Sequence, residues 1–218
     1  MTSTVVHLLR HGKVHNPAGV LYGRLPGYRL AASGLAMADG VAAELAGHDI
    51  VYLAASSLER AQQTAAPLAA AHGLEVRTDD RVIEAGNVFE GMVVGTRDGA
   101  LRRPGNWAKL RNPTRPSWGE PYLAIAHRML AAVYTAVQAA AGHEAVLVSH
   151  QLPIWTVRRY LEGRRLWHDP SRRQCSLASL TSLHFADGVF TSLTYREPVG
   201  HIEALDDPAE AGGPEAGA

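Results

Sequence analysis

Val5-Val6-His7-Leu8-Leu9-Arg10-His11-Gly12 is the stretch whose reading decides the fold. Its first five residues make a short, apolar, β-branched run, the pattern of a buried strand. The run stops at Arg10-His11-Gly12, where polarity and a glycine force the chain to turn. In an open α/β sheet, ligands bind in the crevice beyond the carboxyl ends of the parallel strands. A lone histidine at a strand end is more often structural or solvated than catalytic. The weight of His11 therefore depends on what other elements deliver to the same rim.

Working outward, a looped segment follows, punctuated by Asn16-Pro17, Gly19, Gly23, Pro26 and Gly27. Ser33 is expected to N-cap a helix running to about Gly47, with Leu35, Ala38, Val41, Ala42 and Leu45 at its apolar positions. Ile50 to Ala54 reads as a second buried strand, and Ser56-Ser57 is expected to cap a helix reaching Gly73. A third strand is expected at Glu75 to Thr78, and a helical pattern returns from Glu120 to about Ala141. Ala145 to Ser149 is another buried strand and ends at His150, after which Pro153 suits the first turn of a helix reaching about Gly163. Strands near Leu177–Phe185 and Val189–Tyr195 are joined by the Asp187-Gly188 turn.

This alternation predicts a three-layer α/β/α fold with a mostly parallel sheet, an antiparallel edge strand supplied by the last hairpin, and a small covering insert at about residues 86–118. Residues 1–205 read as a single domain, and 206–218, rich in Ala, Gly, Pro and Glu, as a disordered tail.

The composition narrows the partners. The chain has 218 residues, 46% hydrophobic, which is enough for one packed core. Lys plus Arg and Asp plus Glu both number 21, so a generally basic nucleic-acid surface is not expected, and any anion site has to be a local cluster. The single cysteine, Cys175, allows no intramolecular disulfide and is expected to be a buried structural thiol. No apolar stretch approaches a membrane span, and the N-terminus lacks the pattern of a cleaved leader, so a cytoplasmic location is expected.

Three of these elements end in polar residues that converge. Arg10 and His11 follow the first strand, Arg60 lies in the first turn of the helix after the second, and His150 ends a later strand. Two imidazoles and two guanidiniums on one rim of a neutral protein call for an anion, and Arg presents a planar fork to phosphate oxygens. Each residue alone has a plainer reading: Arg60 as a solvent-facing helix arginine, His7 and His72 as structural or solvated side chains. The histidines could instead hold zinc, but carboxylate or thiol ligands at metal-site spacing are missing, so no metal and no cofactor is expected.

Leu8-Leu9-Arg10-His11-Gly12 resembles the Arg-His-Gly signature of the histidine phosphatase superfamily, also called phosphoglycerate-mutase-like. The resemblance extends in order to about Tyr195. Gly23, Leu30 and Gly34 resemble the spaced positions after the signature, and Ser56 to Ala65 is similar to the family's Ser-x-x-x-Arg-Ala-x-x-Thr-Ala segment. Glu84, followed by Phe89-Glu90-Gly91, resembles the acid-bearing loop, and Val148-Ser149-His150 the end of the second histidine strand. The resemblance implies that His11 attacks phosphorus, its other ring nitrogen held by a backbone carbonyl, while Arg10, Arg60 and His150 hold the non-bridging oxygens without a metal. It implies Glu84 as general acid and then base; Glu90 is the competing candidate, with support of the loop as its alternative role.

Two positions depart from the family pattern: Lys13 stands where Glu or Gln is common, and Gln151 where Gly is common. Asn16, Gly23, Arg24 and Gln151 are expected to border the substrate, as are some of Arg97, Arg102, Arg103, Arg111 and Arg115 beside Trp107 and Trp118, although a solvated basic loop is their plainer reading. The insert is shorter than that of the glycolytic mutases, with prolines at Pro104, Pro113 and Pro116. A phosphatase is therefore expected, ahead of a phosphomutase and of a non-catalytic module binding phosphorylated ligands. The expected partner is a small phosphorylated substrate, with no nucleic acid and no membrane; a homodimer is the ordinary state for a small enzyme.

Overall fold

The computed structural model describes residues 2–93, 112 and 118–205. The expected arginine-rich insert positions Arg97, Arg102, Arg103, Trp107, Arg111 and Arg115, and the tail 206–218, lie outside the described residues.

Six strands form one sheet: β1 (Ser3–Arg10), β2 (Ile50–Ala55), β3 (Arg77–Thr78), β4 (Glu144–Ser149), β5 (Leu180–Ala186) and β6 (Val189–Arg196), in the order β3-β2-β4-β1-β5-β6. β1, β2, β3 and β4 run parallel; β5 is antiparallel to β1 and β6 antiparallel to β5, so the final hairpin supplies the antiparallel pairings at that edge. Its turn uses Asp187 and Gly188, both at positive φ (49° and 77°), the backbone that matches the twist of paired strands.

Among the described residues, four helices cover the two faces. α1 (Ala32–Leu45) and α2 (Glu59–His72) lie on the face of Leu9, Leu53, Val146 and Val148. α3 (Tyr122–Ala139) and α4 (Gln151–Leu161) lie on the face of Val6, Leu8, Ala145 and Leu147. Because β1 and β4 are covered on both sides, their sequences run apolar without alternation. Leu8, Leu9 and Leu147 are fully buried, each contributing about 1.5–3 kcal/mol of transfer free energy.

Two helix starts differ from the sequence reading. α1 begins after Ala31 and contains Ser33, while α2 begins after Leu58; neither has a side-chain cap. Ala31 N–H is bonded to Lys13 O instead, so a tertiary contact fixes the entry to α1. The third strand shrinks to two residues. Among the described residues, no helix is long and apolar enough to cross a membrane.

The loops beyond the strand ends are stitched together. Leu21 and Met92 exchange backbone contact (Leu21 N–H to Met92 O, 2.9 Å), and Gly91 N–H bonds Leu21 O at 2.9 Å. Leu21 and Phe89 form a small apolar cluster with Met92 and Trp118. This minor third cluster anchors the segments carrying Gly23 and Glu84 above the sheet.

Candidate active site

β1 and β4 are adjacent and parallel with Arg10 opposite Ser149, so the residues after each strand, His11 and His150, share one rim. Their ring centroids are 5.1 Å apart. His11 N–H bonds Ser149 O at 3.1 Å, and Ala178 N–H bonds His11 O at 3.3 Å, which fixes the backbone between the two neighbouring strands.

His11 Nδ1 lies 2.8 Å from Gly12 O. A carbonyl only accepts, so Nδ1 carries the proton and Nε2 the lone pair. Gly12 is itself held: its N–H bonds Thr64 Oγ1 at 3.1 Å, and Thr64 Oγ1 donates to Arg60 O at 2.7 Å. A side chain at Gly12 would run into the Gly34 carbonyl, which is how closely α1 approaches the loop.

Both guanidiniums are buried, Arg10 at 2% and Arg60 at 1% exposure. Arg10 Nη1 donates to Cys175 O at 2.7 Å, and Arg60 Nη2 to Gly23 O at 2.7 Å. Arg60 also stacks on Tyr22, its Cζ 4.7 Å from the ring centroid. Arg60 Nε and His150 Nδ1 are buried with no hydrogen-bond partner among the described residues. His150 Nε2 lies 2.7 Å from Ser56 Oγ.

Glu84 is buried and its Oε1 accepts from Ala85 N–H at 2.7 Å. Burial raises its pKa; the Ala85 hydrogen bond and the charges of Arg60, Arg173 and Arg10 oppose this without cancelling it. Burial holds the His11 pKa well below its usual value, helped by Arg60 and Arg10. His150 is lowered in the same way, by burial first and then by Arg60. The site thus combines neutral imidazoles and a carboxyl inclined to keep its proton with cationic guanidiniums. Desolvating an ion costs several kcal/mol unless it is compensated, so a rim of buried guanidiniums is chemically suited to an anion.

The expected border residues divide. Gly23 supplies its carbonyl to Arg60 and adopts φ +41°, where a Cβ would collide with the Glu90 carboxylate. Glu90 Oε1 accepts from Asn87 N–H at 3.1 Å, the loop-supporting role. Arg24 braces its neighbours, with Nε on Glu84 O at 2.6 Å and Nη2 on Glu120 Oε2 at 3.0 Å. Asn16 closes its own loop by bonding Val20 through both amide atoms.

Gln151 Oε1 accepts from Arg173 Nη1 at 3.1 Å. Arg173 Nε donates to His168 Nε2 at 2.9 Å, and His168 Nδ1 donates to Leu166 O at 2.6 Å. Burial, with the Arg173 charge, takes the His168 pKa down to about 4, so it stays a neutral acceptor for that guanidinium. Sequence reasoning missed Arg173 and the contact of Ser56 with His150; Tyr22 opens the loop through Gly27 that was expected to border the pocket. Ser56 alone carried a signal, since it opens the segment containing Arg60. Cys175 is buried as expected, and burial pushes its thiol up to about 11.

Residues 6–198 match the family model of the histidine phosphatase superfamily (branch 1). The chain belongs to the histidine phosphatase superfamily. Within reach of that family, it is 58% identical over 195 residues to the uncharacterized protein Rv0525 of Mycobacterium tuberculosis strain H37Rv, covering 89% of this chain and 96% of that one. It is 29% identical over 211 residues to a Yersinia pestis protein named "Probable phosphoglycerate mutase GpmB", covering 94% and 96%. The solved mycobacterial glucosyl-3-phosphoglycerate phosphatase superposes with a TM-score of 0.65 at 25% identity, covering 89% of this chain and 96% of that one. The names of these histidine phosphatase relatives thus include both a phosphatase and a mutase.

Proposed function

We propose that this chain hydrolyses a small phosphomonoester through a phosphohistidine on His11. The observation that carries the reading is the His11 ring: Nδ1 is tied to Gly12 O, and burial between Arg10 and Arg60 keeps the ring neutral. Nε2 therefore holds a lone pair near neutral pH.

Nε2 attacks phosphorus in line; the N–P bond forms as the bond to the leaving oxygen breaks. Charge on the three equatorial oxygens is met by Arg10, Arg60 and His150, whose contribution is electrostatic and positional. Glu84, its carboxyl raised by burial, gives its proton to the leaving oxygen. The resulting carboxylate then takes a proton from water as the water oxygen attacks phosphorus and the N–P bond breaks. His11 and protonated Glu84 are regenerated.

Hydrolysis is preferred over transfer because the segment between Gly86 and Trp118 is short and rich in proline. The relative named for phosphoglycerate mutase supports the second reading, in which the same phosphohistidine returns its phosphoryl group to bound product. The decisive experiment compares the parent with His11→Ala on an aryl phosphate in the presence of a chelator. Phosphate release by the parent alone, with an acid-labile, alkali-stable phosphoenzyme on rapid quenching, is the expected result. Turnover that survives in His11→Ala would sink the mechanism. A stable phosphoenzyme that transfers only to a second acceptor would establish the mutase.

A further inference from the structure

At the end of the sheet opposite His11, three side chains from distant parts of the chain meet. His7 lies in β1, His48 in the turn between α1 and β2, and Glu144 at the start of β4. His7 Nε2 is 2.7 Å from Glu144 Oε2, and His48 Nδ1 is 2.8 Å from the same oxygen. One nitrogen of each ring and one carboxylate oxygen lie within 4.8 Å of one another. His7 is buried, whereas His48 and Glu144 are partly exposed, so the group has one wall in the core and one open to solvent.

We propose that His7, His48 and Glu144 form a zinc-class divalent cation site, separate from the phosphoryl site. Two imidazole nitrogens and one carboxylate oxygen are a borderline-soft ligand set suited to Zn2+, with water at the remaining position. Bonds of about 2.0–2.2 Å in a tetrahedron put ligand atoms about 3.3–3.5 Å apart. The two hydrogen-bonded pairs would have to open by only about 0.6 Å to reach that spacing. The ring planes cross at 82°, which lets the two nitrogens approach one point from different directions.

Ser182 makes the exchange feasible inside the core. Its Oγ lies 2.8 Å from His7 Nδ1. Without an ion, Nε2 must carry the proton that Glu144 accepts, and the Ser182 hydroxyl donates to Nδ1. With an ion on Nε2, the proton sits on Nδ1 and the same hydroxyl accepts it. A neutral ring therefore changes tautomer while keeping its hydrogen bond to Ser182, which orients the ligand from outside the coordination sphere. The backbone reinforces the other two ligands: Glu144 N–H bonds Asp49 O at 2.9 Å, next to His48. Arg196 is the cation that bears on His7, and it is paired with Glu44 Oε1 at 3.2 Å. Sequence spacing could not reveal this set, because His7 and Glu144 are 137 positions apart and His48 and Glu144 are 96 apart.

The test is titration of the full chain, stripped with chelator, with ZnCl2 against a chromophoric zinc indicator, and in parallel with CoCl2. The expected result is one tight site per chain, an intense visible Co2+ spectrum of four-coordinate type, and a rise in Tm with Zn2+. His48→Ala, on a partly exposed turn, should remove the site and the Co2+ spectrum while leaving the circular dichroism and the His11-dependent phosphatase activity unchanged. Ser182→Ala should weaken binding about ten- to a hundredfold. Absence of a tight site in the parent would overturn the proposal. So would a site that persists in His48→Ala, since the ion would then be held by other histidines.

Discussion

Ser56 Oγ and His150 Nε2 are joined at 2.7 Å, and both residues have no exposed surface. The serine after β2 thereby positions the imidazole after β4. If the hydroxyl donates to Nε2, the His150 proton is placed on Nδ1, the nitrogen left for an anion.

Ser56→Ala removes that control while leaving the helix start intact, because α2 is not capped by Ser56. A buried hydrogen bond lost to an unpaired partner costs about 1–3 kcal/mol. The expected outcome is a fall of about ten- to a hundredfold in kcat/KM for an aryl phosphate, with an unchanged circular dichroism spectrum. Unaltered kinetics would show that His150 needs no such partner.

Glu84→Gln tests the acid by its dependence on the leaving group. An alkyl phosphate needs its oxygen protonated, and a nitrophenyl phosphate does not. The substitution should lower kcat/KM by about 10²–10⁴ for the alkyl ester, and much less for the nitrophenyl ester. Equal losses on both would assign Glu84 to binding.

The pH profile follows from the two shifted groups. His11, lowered by burial, loses its lone pair only well below its usual pKa; Glu84, raised by burial, loses its proton above its usual value. Alkyl-phosphate turnover should therefore fall on the alkaline side as Glu84 ionises, and Glu84→Gln should lack that limb. The same shift has a stability sign. The folded state binds the Glu84 proton more tightly than the unfolded chain, so its contribution is present at acid pH and lost as pH rises through the folded pKa. Glu84→Gln, which retains an oxygen for Ala85 N–H, should raise Tm at pH 7 relative to the parent and change it little at pH 4.

Gly23→Ala places a methyl in the left-handed region and against Glu90. The backbone alone costs about 1–2 kcal/mol, and the displaced carbonyl is the one that orients Arg60. Thermal unfolding should show a lower Tm, with a loss in kcat/KM larger than that stability change explains. Adding Glu90→Ala removes the collision but not the φ penalty, so recovery should be partial.

Much of this was legible in the sequence. Leu8-Leu9 and Val146-Leu147-Val148 fix β1 and β4 because only a strand covered on both faces runs apolar without alternation. The rim residues then follow from strand ends. The true starts of α1 after Ala31 and α2 after Leu58 were not legible from Ser33 and Ser56-Ser57, because capping preference is local and neither helix uses a side-chain cap; for α1 a tertiary contact with Lys13 fixes the entry. Arg173 sits at no strand end and is tied in through Gln151 and His168. The His7 group was hidden for a related reason: its members meet only because β1 and β4 are neighbours in register.

β1 is paired on both of its edges, by β4 and by β5. The proposed nucleophile, His11, therefore follows a strand held on both sides, whereas the segments around Tyr22 and Glu84 are fastened by a small satellite cluster. Under the proposed mechanism, selection can rework those segments to suit a new ester without disturbing the strand that leads into His11, so substrate preference and reaction chemistry would be free to evolve at different rates.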